Sequence, residues 1–122
     1  MSKYKCLIIE DDQAFAAILS TIMEKVPEVE LVGVSDNTVD AAKKLEREKP
    51  HILLLDVNIS GLEGPEILEM IDHKPLTIVI SSHEEGVMEN YDIDYVKFIQ
   101  KPLQSSEQLI SVVKSCLNQL NS

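Results

Sequence analysis

Four polar side chains in this sequence stand where a run of mainly apolar residues ends. Asp11 follows Cys6-Leu7-Ile8-Ile9-Glu10, Asp56 follows Ile52-Leu53-Leu54-Leu55, Ser81 follows Ile78-Val79-Ile80, and Lys101 follows Val96-Lys97-Phe98-Ile99-Gln100. If each run is a buried parallel strand, the four side chains gather at one edge of one sheet, where open α/β sheets bind and react with ligands. Two carboxylates, a hydroxyl and an ammonium at that edge suit a divalent metal and a phosphoryl group. A hard cation such as Mg²⁺ takes oxygen ligands and is commonly held by one or two carboxylates plus a substrate phosphate. Glu10 and Asp11, with Asp56 from a neighbouring strand, supply such ligands. A carboxylate beside the metal can also attack a phosphoryl donor as an anionic nucleophile that needs no base.

Each residue has a blander explanation. Glu10-Asp11-Asp12 can simply cap the next helix, since carboxylates favour the positive end of its dipole. For the triplet alone the two readings balance. Asp56 tips them, because a carboxylate that ends the most apolar strand needs a partner or a task. Ser81 can be a strand-end turn former. Lys101 before Pro102 can be a solvated residue in a tight turn, one compatible with a cis peptide. In the cleft, the same lysine would offset phosphoryl charge and pair with the carboxylate when no phosphate is bound.

The elements that must position these groups alternate along the chain. After the first strand, Phe15, Ile18, Leu19, Ile22, Met23 and Val26 recur at helical spacing and stop at Pro27. Residues 30–34 read as a short, more polar strand. Asn37 reads as the N-cap of a helix with Val39, Ala42 and Leu45 inward and Pro50 beyond its end. Residues 52–56 form the third strand, whose four successive apolar residues fit a strand covered on both faces. Gly64-Pro65 opens a helix with Ile67, Leu68 and Ile71 inward. Residues 77–81 and 95–100 are the fourth and fifth strands, and the weakest helical pattern, residues 83–92, lies between them. The last helix has Ser105 and Gln108 at capping-box spacing and an inner face of Leu109, Val112, Val113, Cys116, Leu117 and Leu120. Five strands and five helices in alternation predict a single α/β domain: a three-layer αβα sandwich on a parallel sheet with right-handed crossovers.

Composition bounds the function. The net charge of −10, from 21 acidic against 11 basic residues, repels nucleic-acid backbones and anionic membranes. No apolar run is long enough to span a bilayer, and the N-terminus has no signal-peptide pattern, so a cytoplasmic protein is expected. Cys6 and Cys116 have no His or Cys at metal-ligand spacing and are expected to be free, buried thiols.

With these landmarks in order, the whole chain, residues 1–122, resembles a response-regulator receiver domain of the CheY-like family of two-component signalling. The resemblance implies a doubly wound, flavodoxin-like sheet of five parallel strands in the order 2-1-3-4-5. It implies that Asp56 is the phosphoacceptor. Mg²⁺ would be held by Asp11, Asp56 and the Asn58 backbone carbonyl, with Glu10 acting through water. Gly64 matches the glycine after the acceptor loop, Ser81 the switch hydroxyl, Phe98 the switch aromatic, and Lys101-Pro102 the Lys-Pro pair. Residues 30–34, the short connection from Gly64 to Ser81, and Asp94-Tyr95 followed by Lys101-Pro102 are similar to receivers of LytTR-type regulators. Ser60 departs from the family, replacing the usual loop proline without removing a chemical group.

The implied function is a signalling switch rather than a metabolic enzyme. A histidine kinase or phosphotransfer protein would be the donor, and an output domain or dimer partner the reader. The chain ends directly after the predicted fifth helix, which fits either a single-domain regulator or the N-terminal part of a longer protein. Three alternatives are weaker. A receiver that signals without phosphorylation would not need the acidic pair, acceptor and lysine. An aspartyl-phosphate hydrolase of the haloacid dehalogenase kind would carry a second Asp where Asn58 stands, and a cap insertion. A nucleotide- or flavin-binding module would have a Gly-rich loop after the first strand.

Overall fold

The strand with the densest apolar run lies at the centre. In the computed structural model, which describes residues 3–57 and 64–122, the elements are β1 (Tyr4–Ile9), α1 (Gln13–Met23), β2 (Val29–Ser35), α2 (Thr38–Glu48), β3 (Ile52–Leu55), α3 (Gly64–Glu69), β4 (Leu76–Ser81), a 3₁₀ helix (Glu85–Asn90), β5 (Lys97–Gln100) and α4 (Ser106–Leu120). The strands form one parallel sheet in the order β2-β1-β3-β4-β5. All four residues of β3 are buried.

Because successive side chains on a strand face opposite ways, the sheet feeds two cores. Cys6, Ile8, Ile52, Leu54, Ile78 and Ile80 pack against α1 and α4, whereas Leu7, Ile9, Leu53 and Leu55 pack against α2 and α3. A third cluster joins Val57, Val79 and Met88 with Phe98, Tyr91 and Tyr95, under the 3₁₀ helix. The result is the expected three-layer, flavodoxin-like sandwich.

The expectations need several local corrections. Residues 83–92 do not form an α-helix. Gly86 sits inside the segment, only Met88 is buried, and Glu84 at its start makes no side-chain cap, so too little burial and capping support a longer helix. The described residues therefore hold four α-helices and one 3₁₀ helix. Val39 points outward at 66 % exposed. The Asn37 side chain accepts the Asp40 N–H at 2.9 Å at the start of α2, whose inner line is Thr38, Ala41 and Leu45, with Val39 about a quarter-turn from Thr38. Ile18 is likewise half exposed, past the edge of the arc made by Ala16, Leu19, Ile22 and Met23. α3 ends at Glu69, leaving Ile71 beyond it. β5 starts at Lys97, although the Val96 N–H already donates to Thr77 O. In α4, Ser105 Oγ accepts the Gln108 N–H, but Gln108 Oε1 reaches back to the Gln104 N–H, one residue before the capping-box position.

Cys6 and Cys116 are free and buried. Among the described residues, no helix is long and apolar enough to cross a membrane.

Candidate functional site

The backbone sets the site before any side chain does. Inter-strand hydrogen bonding runs one residue past each strand end: Glu10 N–H to Ser35 O, Asp56 N–H to Ile9 O, and Lys101 N–H to Ser81 O. Glu10, Asp56 and Lys101 are thus fixed at the C-terminal edge of the sheet. β1 leads outward to β2 and β3 leads the other way to β4, so this edge is the topological switch point of the fold.

The acidic triplet divides its work. Asp12 is the N-cap of α1, its Oδ1 accepting the N–H groups of Ala14 at 3.0 Å and Phe15 at 3.2 Å. The helix-cap explanation therefore holds for Asp12. Glu10 and Asp11 turn to the cleft, where carboxylate oxygens of Glu10, Asp11 and Asp56 all lie within 4.8 Å of one another. Glu10 and Asp56 are buried, and Asp11 is exposed.

Lys101 offsets part of this negative charge. Its Nζ donates to Glu10 Oε1 at 2.7 Å and lies 3.4 Å from Asp56 Oδ2, with the lysine side chain 18 % exposed. The second Glu10 oxygen accepts the Asp12 N–H at 3.1 Å. Burial pushes the Glu10 carboxyl up from the usual range; Lys101 and the Asp12 N–H oppose that, and Asp56 adds to it. For Lys101, burial works against the charged form, yet the hydrogen bond to Glu10 and the charges of Asp56 and Glu10 outweigh it, so its pKa is raised and the ammonium stays charged.

This donor set fits a hard divalent cation. It is all oxygen, carries several negative charges and holds one exposed carboxylate, Asp11, at the mouth. Glu10 already has both oxygens engaged, which suits a role through water better than a direct bond. Asn58, expected to add its carbonyl, lies outside the described residues, as does Ser60.

Gly64 closes the segment after Asp56. A Cβ on Gly64 would lie 2.0 Å from the Asp56 carbonyl oxygen, so only a hydrogen fits there. Ser81 is fully buried at the end of β4, and its Oγ accepts the His83 N–H at 3.1 Å, the turn-forming contact expected of a strand-end serine. A hydroxyl that accepts one bond keeps its own proton to donate. Phe98, half-buried on β5 opposite Val79, packs in the third cluster rather than in the cleft. The Lys101-Pro102 peptide is cis.

One neighbour of the site was not legible in the sequence. The Phe15 ring lies beneath Lys101, with Nζ 4.4 Å from the ring centroid. Helical spacing marks Phe15 only as a core residue, and nothing local connects it to a lysine on the far side of the chain.

Sheet order and edge chemistry together define a doubly wound α/β protein with a carboxylate–lysine centre at its switch point. The chain belongs to the response regulator receiver domain family of two-component systems, whose family model matches residues 6–114. It is 26 % identical over 121 residues to the sensory transduction protein LytT of Bacillus anthracis, covering 97 % of this chain and 49 % of that protein. It is 31 % identical over 107 residues to protein MrkE of Klebsiella pneumoniae, covering 85 % of this chain and 40 % of that protein. The chain therefore spans about half or less of the length of these relatives. Among solved structures, the response regulatory domain of Klebsiella pneumoniae mrkE superposes with a TM-score of 0.83 at 26 % identity, covering 94 % of this chain and 96 % of that one. The response regulator domain of Thermotoga maritima CheB, at 24 % identity and a TM-score of 0.78 over 98 % of both chains, shows the same fold. The similarity to receivers of LytTR-type regulators holds in these comparisons.

Proposed function

We propose that the chain is a phosphoacceptor switch in which Asp56 takes a phosphoryl group from the phosphohistidine of a sensor histidine kinase or a phosphotransfer protein. The observation that carries this reading is the position of Lys101, whose ammonium spans Glu10 and Asp56 beside the exposed Asp11. An Asp56 carboxylate oxygen forms the new O–P bond as the P–N bond breaks, and the electron pair of that bond returns to the imidazole nitrogen. Lys101 and Ser81 then hold the phosphoryl oxygens. Mg²⁺, held by Asp11, Asp56 and the Asn58 carbonyl, with Glu10 acting through water, would offset the negative charge that keeps an anionic donor from a carboxylate. Transfer of this kind depends on position and charge neutralisation, and this small set of groups is enough for both.

In this reading residues 1–122 act as one receiver domain in the cytoplasm. Ser81 and Phe98 are the switch residues that pass the modification to an output domain or a dimer partner. The chain binds neither nucleic acid nor membrane directly, and it takes part in its own phosphorylation and dephosphorylation without being a metabolic enzyme. The test is incubation with a small acyl-phosphate donor and Mg²⁺, followed by intact-mass spectrometry. One phosphoryl group is expected on the wild type and none on Asp56→Asn; equal uptake by both would move the acceptor elsewhere.

A further inference from the structure

We propose that Phe15 is a positioning residue for Lys101, its ring face holding the ammonium inside the cleft so that the cation is in place when a phosphoryl group reaches Asp56. The proposal rests on the role given to Lys101 above and adds a specific requirement for an aromatic ring.

The contact falls within the roughly 6 Å reach of a cation–π interaction, with Nζ 4.4 Å from the ring centroid. The ring is held independently of the lysine. Phe15 lies in the first turn of α1, its N–H bound to the Asp12 cap, and its side chain packs against the core between α1, α4 and the sheet. The ammonium is therefore bounded by Glu10 from the end of β1, Asp56 from the end of β3 and the ring from α1. A lysine stem is long and flexible, and the two carboxylates restrain it only through the oxygens at its tip.

The ring differs from those carboxylates in one useful respect. It attracts the cation through its quadrupole without a net charge of its own. Glu10 holds Lys101 with a full opposite charge, which offsets part of the field that the still-charged ammonium can offer the phosphoryl oxygens. Phe15 attracts it without doing so. The attraction of the ring does not depend on which of the two carboxylates the ammonium faces. An aliphatic residue of similar bulk would fill the same space in the core and give no such attraction.

The experiment compares Phe15→Leu, Phe15→Tyr and Phe15→Trp in the intact chain by two readouts. The first is the NMR shift of the Lys101 Hε protons. Ring-current displacement upfield is expected in the wild type, Phe15→Tyr and Phe15→Trp, and its loss in Phe15→Leu. The second is the rate of Asp56 phosphorylation by acetyl phosphate at saturating Mg²⁺. Phe15→Leu should be about three- to tenfold slower and both aromatic variants within about twofold of wild type. Phe15→Met replaces Phe15→Leu if the latter shows an unfolded spectrum.

Wild-type Lys101 protons without the upfield displacement, or equal rates in the aliphatic and aromatic variants while the wild type is phosphorylated, would overturn the positioning role alone. A wild type that takes up no phosphoryl group would instead overturn the reading of Asp56 on which the proposal rests, whatever the proton shifts show.

Discussion

Neighbouring acidic residues need not share a task, and the backbone decides which does what. Asp12 is committed to two N–H groups of α1, while Asp11 is exposed beside Glu10 and Asp56. Asp11→Ala should therefore remove most of the Mg²⁺ affinity measured by titration. It should leave the Mg²⁺-free protein no less stable, since one of three crowded like charges is gone. Asp12→Ala should do the reverse, lowering stability by about 1 kcal/mol through the lost cap while changing Mg²⁺ affinity little. Equal Mg²⁺ affinity in wild type and Asp11→Ala would remove Asp11 from the ligand set. The sequence showed that carboxylates cluster at the end of β1 and that Asp56 and Lys101 end other strands. It could not show which member of the triplet was the cap, because that depends on the turn the chain makes after Glu10. Nor could it show that Lys101 lies closer to Glu10 than to Asp56.

Elements were legible where the apolar pattern was dense and misread where it was thin or lay at the margin of a face. Both faces of β1 and β3, the Asn37 and Ser105 caps and most of the inner face of α4 followed from pattern. Val39 and Ile18 did not, because an apolar residue at the margin of a helical arc fits either side until the packing against the sheet decides. The start of α2 shows how tightly a cap and a strand can be tied. Asp40 accepts the Ser35 hydroxyl at 2.7 Å, pairs with Lys44 at 2.9 Å, and lies in the first turn of the helix, while Lys44 also donates to Val34 O. Hydrogen bonds from Lys44 and then Ser35 hold the Asp40 carboxyl below its ordinary value of 3.8. A carboxyl whose folded pKa lies below its unfolded one adds stability above the unfolded value and loses it as pH falls through the folded one. Wild type should accordingly exceed Asp40→Asn in urea stability at about pH 6, and the difference should shrink by about pH 2. A difference independent of pH would place the effect in packing rather than in the charge.

For the whole molecule, the strand order came from the family resemblance, since local patterns identify strands without saying which lie side by side. That order puts the candidate acceptor next to a distant surface through very little material. Val57, directly after Asp56, shares one small cluster with Val79 of β4, Met88 of the 3₁₀ helix and Phe98 of β5. Ser81 ends the same β4 strand, and its register neighbour on β5 is Gln100, with Phe98 opposite Val79. If the Ser81 hydroxyl leaves the His83 N–H for a phosphoryl oxygen on Asp56, the chain after β4 must follow, and Phe98 can repack into the space released. A close-packed cluster favours two discrete arrangements over a continuum. The 3₁₀ helix above it, short, without a side-chain cap and with Met88 as its one buried residue, has little burial to lose in moving. Ser81→Ala should therefore still accept a phosphoryl group on Asp56 but lose most of the accompanying change in the surface formed by the 3₁₀ helix, β5 and α4. NMR spectra with and without beryllofluoride as the phosphoryl mimic would measure this in both proteins. The wild type should show shifts spreading from residues 81–83 through 85–100 into α4, and the variant only shifts close to Asp56. A full wild-type response in Ser81→Ala would show that the coupling does not run through that hydroxyl.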